Sequence, residues 1–276
     1  MDIGIGLPST IPGVTRAQEL EWARRADARG FSTLGVIDRI VYSNLEPLIA
    51  LAAAAAVTER IRLTTSILLG PTRGAALLAK QAASVNLLSD GRLTLGLAPG
   101  GRADDYEAVG VDFGTRGRRF DEQLADLQRM WSGDGIGPDH EPELILGGTV
   151  EASFRRAAQY GSGWIAGGMP PDAVKEILPA VRQAWEAAGR SDEPRILGLA
   201  YFALGPDAEA AAAGYLKHYY SFLGDVADAI VAGAAKDADT VKQYAEGFAG
   251  AGLDELIFFP CSPDPEQVGL LAEAAL

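Results

Sequence analysis

Cysteine, histidine and positive charge are all scarce in this sequence. Its 276 residues include one cysteine, Cys261, two histidines, His140 and His218, and 24 Lys and Arg residues against 37 Asp and Glu residues. A single cysteine excludes an internal disulfide, and cysteine-poor chains are typical of reducing compartments. The formal charge of −13 opposes binding to nucleic acid, which requires clustered cations. We therefore expect a cytoplasmic protein without a nucleic-acid partner.

Long hydrophobic runs are missing as well. Residues 50–57 form the nearest approach to one, but the charged residues Glu59 and Arg60 follow almost at once. A membrane span needs roughly 20 consecutive apolar residues. The first residues, Met-Asp-Ile-Gly, enter an apolar run without the basic segment that begins a signal peptide. The sequence predicts neither a signal peptide nor contact with a membrane.

Signatures of several reaction classes are also absent. The chain has no HExxH motif, no paired CxxC motifs and no workable cluster of metal ligands, so we expect no metal site. It has no GxSxG motif, and neither histidine lies at the end of a predicted strand, which disfavours a Ser-His-Asp hydrolase. The GxxxxGK[ST] loop that binds nucleotide phosphates is missing too.

What the sequence does contain is a regular alternation of short apolar runs and stretches with helical spacing. The runs are residues 3–7, 33–37, 61–69, 93–98, 144–146, 163–166, 196–203 and 256–259. Eight such repeats predict an α/β protein of the (β/α)8 TIM barrel class, which commonly takes about 250 residues. No linker composition interrupts the chain, so we predict one domain spanning residues 1–276. In such barrels the active site lies at the carboxyl ends of the strands.

Glycine clusters follow three successive predicted strands. They are Pro99-Gly100-Gly101, Gly147-Gly148-Thr149 and Ala166-Gly167-Gly168. Glycine lets a ligand approach the backbone, and a following helix offers free N–H groups to a phosphate. Because barrels also use glycine simply to turn from strand to helix, these residues leave cofactor binding and ordinary turns both open.

Three stretches of the sequence resemble the luciferase-like monooxygenase superfamily. The first is residues 61–101, IRLTTSILLGPTRGAALLAKQAASVNLLSDGRLTLGLAPGG. The second is residues 107–133, EAVGVDFGTRGRRFDEQLADLQRMWSG, and the third is residues 145–168, ILGGTVEASFRRAAQYGSGWIAGG. The resemblance implies a (β/α)8 barrel that binds FMN or the deazaflavin coenzyme F-420. It also implies an oxidoreductase or monooxygenase that transfers hydride or activates oxygen on a small organic substrate.

The resemblance also assigns site residues. A cis peptide bond at Ser66-Ile67 would lie behind the cofactor ring, and Pro99, Gly100 and Gly101 would pass beside the ring or the ribityl chain. The phosphate end would lie near Gly147, Gly148 and Thr149, with Ala166, Gly167 and Gly168 closing the pocket. FMN and coenzyme F-420 share a ring system, and the compact barrel slightly favours coenzyme F-420.

The chain departs from the family pattern after the second predicted strand. Many members carry an Asp-His pair there, with the histidine as catalytic acid or base, whereas this chain has Asp38-Arg39. An arginine stays charged and cannot shuttle a proton. By position, Asp38 and Arg39 remain our catalytic candidates: Arg39 would hold an anionic substrate or the reduced flavin, with Asp38 as its partner. An ordinary surface salt bridge is the alternative.

A second departure is a shortened insertion region before the fifth predicted strand, which implies a more open or partner-completed pocket. Tyr42, Arg73 and Cys261 are further substrate-side candidates, although Cys261 also fits a small buried apolar position. The missing histidine keeps a second hypothesis open, a non-catalytic or partner-dependent cofactor-binding barrel subunit. A sugar-phosphate isomerase or aldolase would need a Lys or Glu at a strand end, and we find none at strands 4 to 6. The alanine-rich residues 52–56 predict a helix that either packs tightly on the barrel or mediates a homodimer.

Overall fold

The computed structural model of this protein describes residues 1–133 and 135–276. Within them the strands are β1 (Asp2–Gly6), β2 (Thr33–Val36), β3 (Arg62–Thr65), β4 (Leu68–Leu69), β5 (Leu93–Ala98), β6 (Glu143–Gly147), β7 (Gly163–Ile165), β8 (Arg195–Phe202) and β9 (Glu255–Pro260). All eight predicted strands are confirmed to within about a residue at each end. The third of them is divided into β3 and β4, on either side of a cis peptide bond between Ser66 and Ile67.

The strands form one closed, parallel sheet. Its order is β3-β2-β1-β9-β8-β7-β6-β5-β4, and β5 pairs with β3 as well as with β4. Together β3 and β4 occupy a single position, so the nine strands make an eight-position barrel. The structure therefore confirms the (β/α)8 barrel.

Helices follow the strands around the outside of the barrel. They are α1 (Arg16–Arg29), α2 (Pro47–Ala55), α3 (Ala75–Leu88), α4 (Ala103–Ala108), α5 (Arg116–Trp131), α6 (Glu151–Tyr160), α7 (Pro171–Ala187), α8 (Ala208–Tyr219), α9 (Val226–Ala232), α10 (Ala238–Ala251) and α11 (Glu266–Ala275). Three of these helices, α8, α9 and α10, lie between β8 and β9. Across the described part of the chain, no helix combines the length and apolarity that a membrane crossing requires.

Glycine on some strands makes room inside the barrel for large side chains from others. A Cβ atom at Gly6 would overlap the ring of Phe259, and one at Gly147 would overlap the side chain of Ile67. Phe259 and Ile257 pack with other apolar side chains in the barrel interior. The interior is therefore filled, and a ligand has access only at the ends of the barrel.

An ionic network lies at the amino-terminal end of the strands. The carboxylate of Glu143 accepts hydrogen bonds from Arg62 at 2.6 Å and from Arg195 at 2.7 Å, and Arg195 also pairs with the buried Glu255. Burial opposes the shift, but the Thr94 hydroxyl and the two arginines hold the pKa of Glu143 below its ordinary value. The opposite end, where the strands have their carboxyl termini, is the candidate site, as in other barrels of this class.

Helix α8 covers part of the opposite end, above β1, β2, β8 and β9. The Tyr215 hydroxyl on α8 lies 2.6 Å from the Thr10 hydroxyl after β1, and the Tyr219 ring packs edge-on against Tyr42 after β2, with centroids 5.0 Å apart. The connection between α5 and β6, residues 132–142, is short, as the sequence predicts. The segment after β8 covers part of the mouth, and the expectation of a more open or partner-completed pocket stays a prediction.

Candidate functional site at the carboxyl end of the barrel

The structure brings all the predicted site residues to one rim. They follow β2, β3, β5, β6 and β7, which occupy five neighbouring positions of the barrel. The residues are Asp38, Arg39, Ser66, Ile67, Pro99, Gly100, Gly101, Gly147, Gly148, Thr149, Ala166, Gly167 and Gly168. Their common location follows from the parallel strand order, while their role in binding stays a prediction.

Glycine is required on this rim for different reasons at different positions. Gly100, Gly148 and Gly167 have positive φ angles of 72°, 124° and 67°, which side-chain-bearing residues rarely adopt. Gly101 has neither a positive φ nor a close neighbour, because a Cβ atom there would meet nothing within 4 Å. A Cβ atom at Gly167 would likewise enter open space. The positive φ angles therefore explain why three of these positions are glycine, whereas the backbone and the packing give no reason for glycine at position 101.

Polar groups without partners lie on the same rim. The Ser66 hydroxyl is buried and has no hydrogen-bond partner among the described residues. Helix α6 begins at Glu151, and no side chain caps its first turn. The Trp164 indole donates to the Gly148 carbonyl at 2.8 Å, which fixes the turn before that helix. An uncapped helix start can hold a phosphate, and a buried unpaired hydroxyl calls for a hydrogen-bond partner.

Asp38 links the ends of two neighbouring strands. Its carboxylate accepts hydrogen bonds from the Arg73 guanidinium at 2.6 Å and from the Leu69 amide at 2.9 Å. Burial raises the pKa of Asp38, and the charge of Arg73 opposes that shift. Glu46 lies 3.0 Å from the other side of the Arg73 guanidinium. Asp38 thereby ties the end of β2 to β4, directly after the Ser66–Ile67 bond.

Arg39 is held in a buried ion pair of its own. Its Nε donates to the Asp105 carboxylate at 2.8 Å, and the two side chains are 7% and 1% exposed. The guanidinium also lies 5.7–5.8 Å from the ring centroids of Tyr42, Tyr219 and Phe222. The expected pairing of Arg39 with Asp38 is wrong, because Asp38 pairs with Arg73. The alternative of a surface salt bridge is wrong as well, because the pair is buried.

A cluster of tyrosines on α8 and next to it was not predicted from the sequence. The Tyr201 and Tyr220 hydroxyls lie 2.8 Å apart, and Tyr215 and Tyr219 pack beside them. Burial raises the pKa of all four phenols, so they stay protonated at neutral pH. The spacing of tyrosines 215, 219 and 220 marks one helix face, but a sequence does not show that this face covers the barrel. Cys261 is buried beside them, and burial raises its pKa, which favours the apolar alternative for this thiol.

A cavity of about 370 Å³ opens beside the predicted cofactor residue Gly168. Its walls come from β8, α9, α10 and the turn after β7. Within residues 1–133 and 135–276, no group of three or more His, Cys, Asp or Glu side chains is arranged to hold a metal ion. The site therefore offers backbone turns, hydroxyls and an apolar cavity.

Three comparisons with known proteins bear on this site. The chain is 30% identical to an uncharacterised protein of Mycobacterium tuberculosis over 207 residues, which are 61% of this chain and 72% of that protein. It is 25% identical over 225 residues to an FMNH2-dependent dimethylsulfone monooxygenase of Pseudomonas fluorescens, covering 74% of this chain and 61% of the relative. A solved F-420-dependent secondary alcohol dehydrogenase has the same fold, with a TM-score of 0.83, 18% identity and coverage of 99% and 97% of the two chains.

The sequence model of a single family spans almost the whole barrel. The description of that family is luciferase-like monooxygenase, and its model matches residues 1–259, from β1 to within β9. The chain therefore belongs to the luciferase-like monooxygenase family.

Proposed function

We propose that this protein is a flavin-type oxidoreductase that binds coenzyme F-420 or FMN on the rim and acts on a small organic substrate. The observation that carries the proposal is the open space at Gly101, on the same rim as the unpaired Ser66 hydroxyl and the uncapped start of α6. Family membership and the names of the two relatives that use these cofactors support it.

Each segment of the rim has a proposed part in holding the cofactor. Ser66 and Ile67 would support the ring, and the turn at residues 99–101 would lie along the ring or the ribityl chain. Gly147, Gly148 and Thr149 would hold the phosphate, and residues 166–168 would close the pocket. The bound cofactor supplies the hydride-transfer or oxygen chemistry, while the protein binds and orients it and excludes water.

Asp38 and Arg39 are the proposed residues beside the reacting end. Asp38 would act by holding the segment from Ser66 to Leu69 in place through the Leu69 amide. An arginine cannot shuttle a proton, so Arg39 would contribute electrostatically from within its pair with Asp105. Exchanging Asp38 for Asn should therefore weaken cofactor binding, whereas a residue that only transfers protons would change turnover alone.

The proposal is tested by titrating the purified protein with FMN and with coenzyme F-420 while following fluorescence quenching. We expect binding of at least one cofactor and favour coenzyme F-420. Gly101→Val fills the open space without a positive φ and should abolish binding. Gly250→Val, on α10, also meets open space and is the matched control. Failure of both cofactors to bind the unaltered protein, or equal binding by the two variants, would contradict the proposal.

A second candidate function is a non-catalytic or partner-dependent cofactor-binding subunit. It is favoured by the ion pairs of Asp38 and Arg39, which leave neither group free as a proton donor or acceptor. Cofactor binding without turnover of any compound in a broad substrate panel would favour this candidate over the enzyme.

We also infer a homodimer that forms through α2 and α3. These two helices pack side by side and expose large apolar side chains, with Ile49 66%, Leu77 62% and Leu88 68% exposed. Exposed apolar side chains on neighbouring helices are typical of an interface. Light scattering at micromolar concentration should give a dimer that Ile49→Glu dissociates, and a monomeric unaltered protein would contradict the inference. The predicted cytoplasmic location is tested separately by cell fractionation.

A further inference from the structure

The cavity beside Gly168 differs in character from the rest of the rim. It has a volume of about 370 Å³ and lies between β8, α9, α10 and the turn after β7. Small-molecule sites in proteins commonly have volumes of about 300–1,000 Å³. The cavity therefore has room for a small organic molecule next to the proposed cofactor site.

The walls of this cavity are apolar apart from phenol groups. The lining includes Met169, Leu199, Ile230 and Phe248 together with three tyrosines, and no charged side chain is among the described residues that form it. A carboxylate or phosphate placed there would lose its hydration without gaining a counter-charge, which costs several kcal/mol or more. An uncharged ligand has no such cost.

Two tyrosines give the cavity a polar anchor. The hydroxyls of Tyr201 and Tyr220 are 2.8 Å apart, and burial raises the pKa of both, so each keeps its proton. One of these two protons forms the bond between the phenols, which leaves the other O–H group able to donate. The Tyr244 hydroxyl already donates to the Gly233 carbonyl at 2.6 Å and can only accept. The cavity therefore offers one free donor from the phenol pair to a carbonyl or hydroxyl group.

Three arginines elsewhere on the rim do not alter this preference. Arg39 is paired with Asp105, Arg73 with Asp38, and Arg102 with Asp104, so each positive charge is balanced inside the protein. These three ion pairs therefore add no attraction for an acidic substrate.

We propose that this cavity binds an uncharged, predominantly apolar molecule with one carbonyl or hydroxyl group, which it anchors on the Tyr201–Tyr220 pair. If this molecule is the substrate, the inference rests on the proposed function, because Gly168 borders both the cavity and the proposed cofactor site. As a binding site, the cavity stands on its own lining. The expectation that Arg39 holds an anionic substrate is replaced here by recognition of a neutral one.

Two probes with the same ring system and different charge test the proposal. The uncharged 2-naphthol and the anionic 2-naphthoate are titrated by calorimetry into the full chain at pH 7. We expect 2-naphthol to bind with a Kd at least tenfold lower than that of 2-naphthoate. Equal affinities, tighter binding of the anion, or no binding of 2-naphthol would overturn the proposal. The comparison uses only the unaltered protein, so it does not depend on whether a variant folds.

Matched variants on one short helix locate the probe. Ala229 and Ala232 are both exposed on α9, but only Ala229 lines the cavity. Ala229→Trp should abolish binding of 2-naphthol and Ala232→Trp should retain it. Exchanging both Tyr201 and Tyr220 for Phe removes the donor and should weaken binding by about tenfold. Unchanged binding by Ala229→Trp would overturn the location. Cofactor titrations of the same samples separate the two proposals, because loss of cofactor binding with retained naphthol binding rejects only the proposed function.

Discussion

A buried carboxyl group on α1 gives the sharpest test of the structure. The Glu19 side chain shares a hydrogen bond with the Ser9 hydroxyl, and its second oxygen, Oε2, is buried with no partner among the described residues. The residue is 4% exposed. Burial is the dominant effect and raises the pKa of Glu19 from 4.5 to about 7, although the Ser9 hydrogen bond opposes the shift. We therefore predict that Glu19 is protonated in the folded protein at mildly acidic pH.

The sign of the effect on stability follows from proton binding in the two states. Between pH 4.5 and about 7 the folded state holds a proton that the unfolded state has released. Stability is therefore highest below this range and falls as the pH rises through it. A shift of this size corresponds to about 3 kcal/mol of unfolding free energy. Glutamine has nearly the same shape as glutamate but cannot ionise, so Glu19→Gln should remove the pH dependence of stability that Glu19 causes.

The assay is urea unfolding followed by circular dichroism from pH 5 to pH 8.5. Relative to the unaltered protein, Glu19→Gln should gain about 2.5 kcal/mol of stability between the two ends of this range. Glu246→Gln, at an exposed position of α10, is the control and should follow the unaltered protein. Parallel curves for Glu19→Gln and the unaltered protein would show that the carboxyl is not buried as described.

Three further predictions concern the frame of the barrel. Glu255→Ala removes a buried partner of Arg195 and should lower the free energy of unfolding in urea by about 3 kcal/mol. Glu266→Ala removes an exposed partner of Arg25 and should lower it by under about 1 kcal/mol. Equal losses would contradict the ionic network at the amino-terminal end. Gly6→Ala should overlap the Phe259 ring and cost about 1–3 kcal/mol, and a stabilised variant would refute this packing. Arg39→Met should leave Asp105 buried without its closest cation and lower the free energy of unfolding by about 3 kcal/mol. A loss below about 1 kcal/mol would contradict the buried ion pair.

The fold was largely predictable because its signal is local. Strands buried on both faces appear as short apolar runs, and all eight runs became strands of the barrel. The split of residues 61–69 into β3 and β4 was not visible in the apolar pattern, since the run is continuous in sequence. The resemblance to a family predicted the cis bond at Ser66–Ile67, and the structure contains it.

The partners of the charged site residues were not predictable. Asp38 binds Arg73, 35 positions away, and Arg39 binds Asp105, 66 positions away. Sequence proximity suggested that Asp38 and Arg39 pair with each other, but consecutive residues after a strand point in different directions. Which carboxylate meets which guanidinium depends on how three separate loops pack.

By itself, the sequence determined that this chain forms a parallel barrel, because the spacing of its apolar residues distinguishes strands from helices. It also determined that the candidate residues share one rim, because the alternation of strands and helices makes all the strands run in the same direction. Only the tertiary structure decided what that rim offers. Helix α8 covers part of the mouth, the phenols of Tyr201 and Tyr220 meet beside an apolar cavity, and Arg39 and Arg73 are paired with carboxylates of the protein. These features depend on contacts between segments far apart in the chain, and no local pattern encodes such contacts.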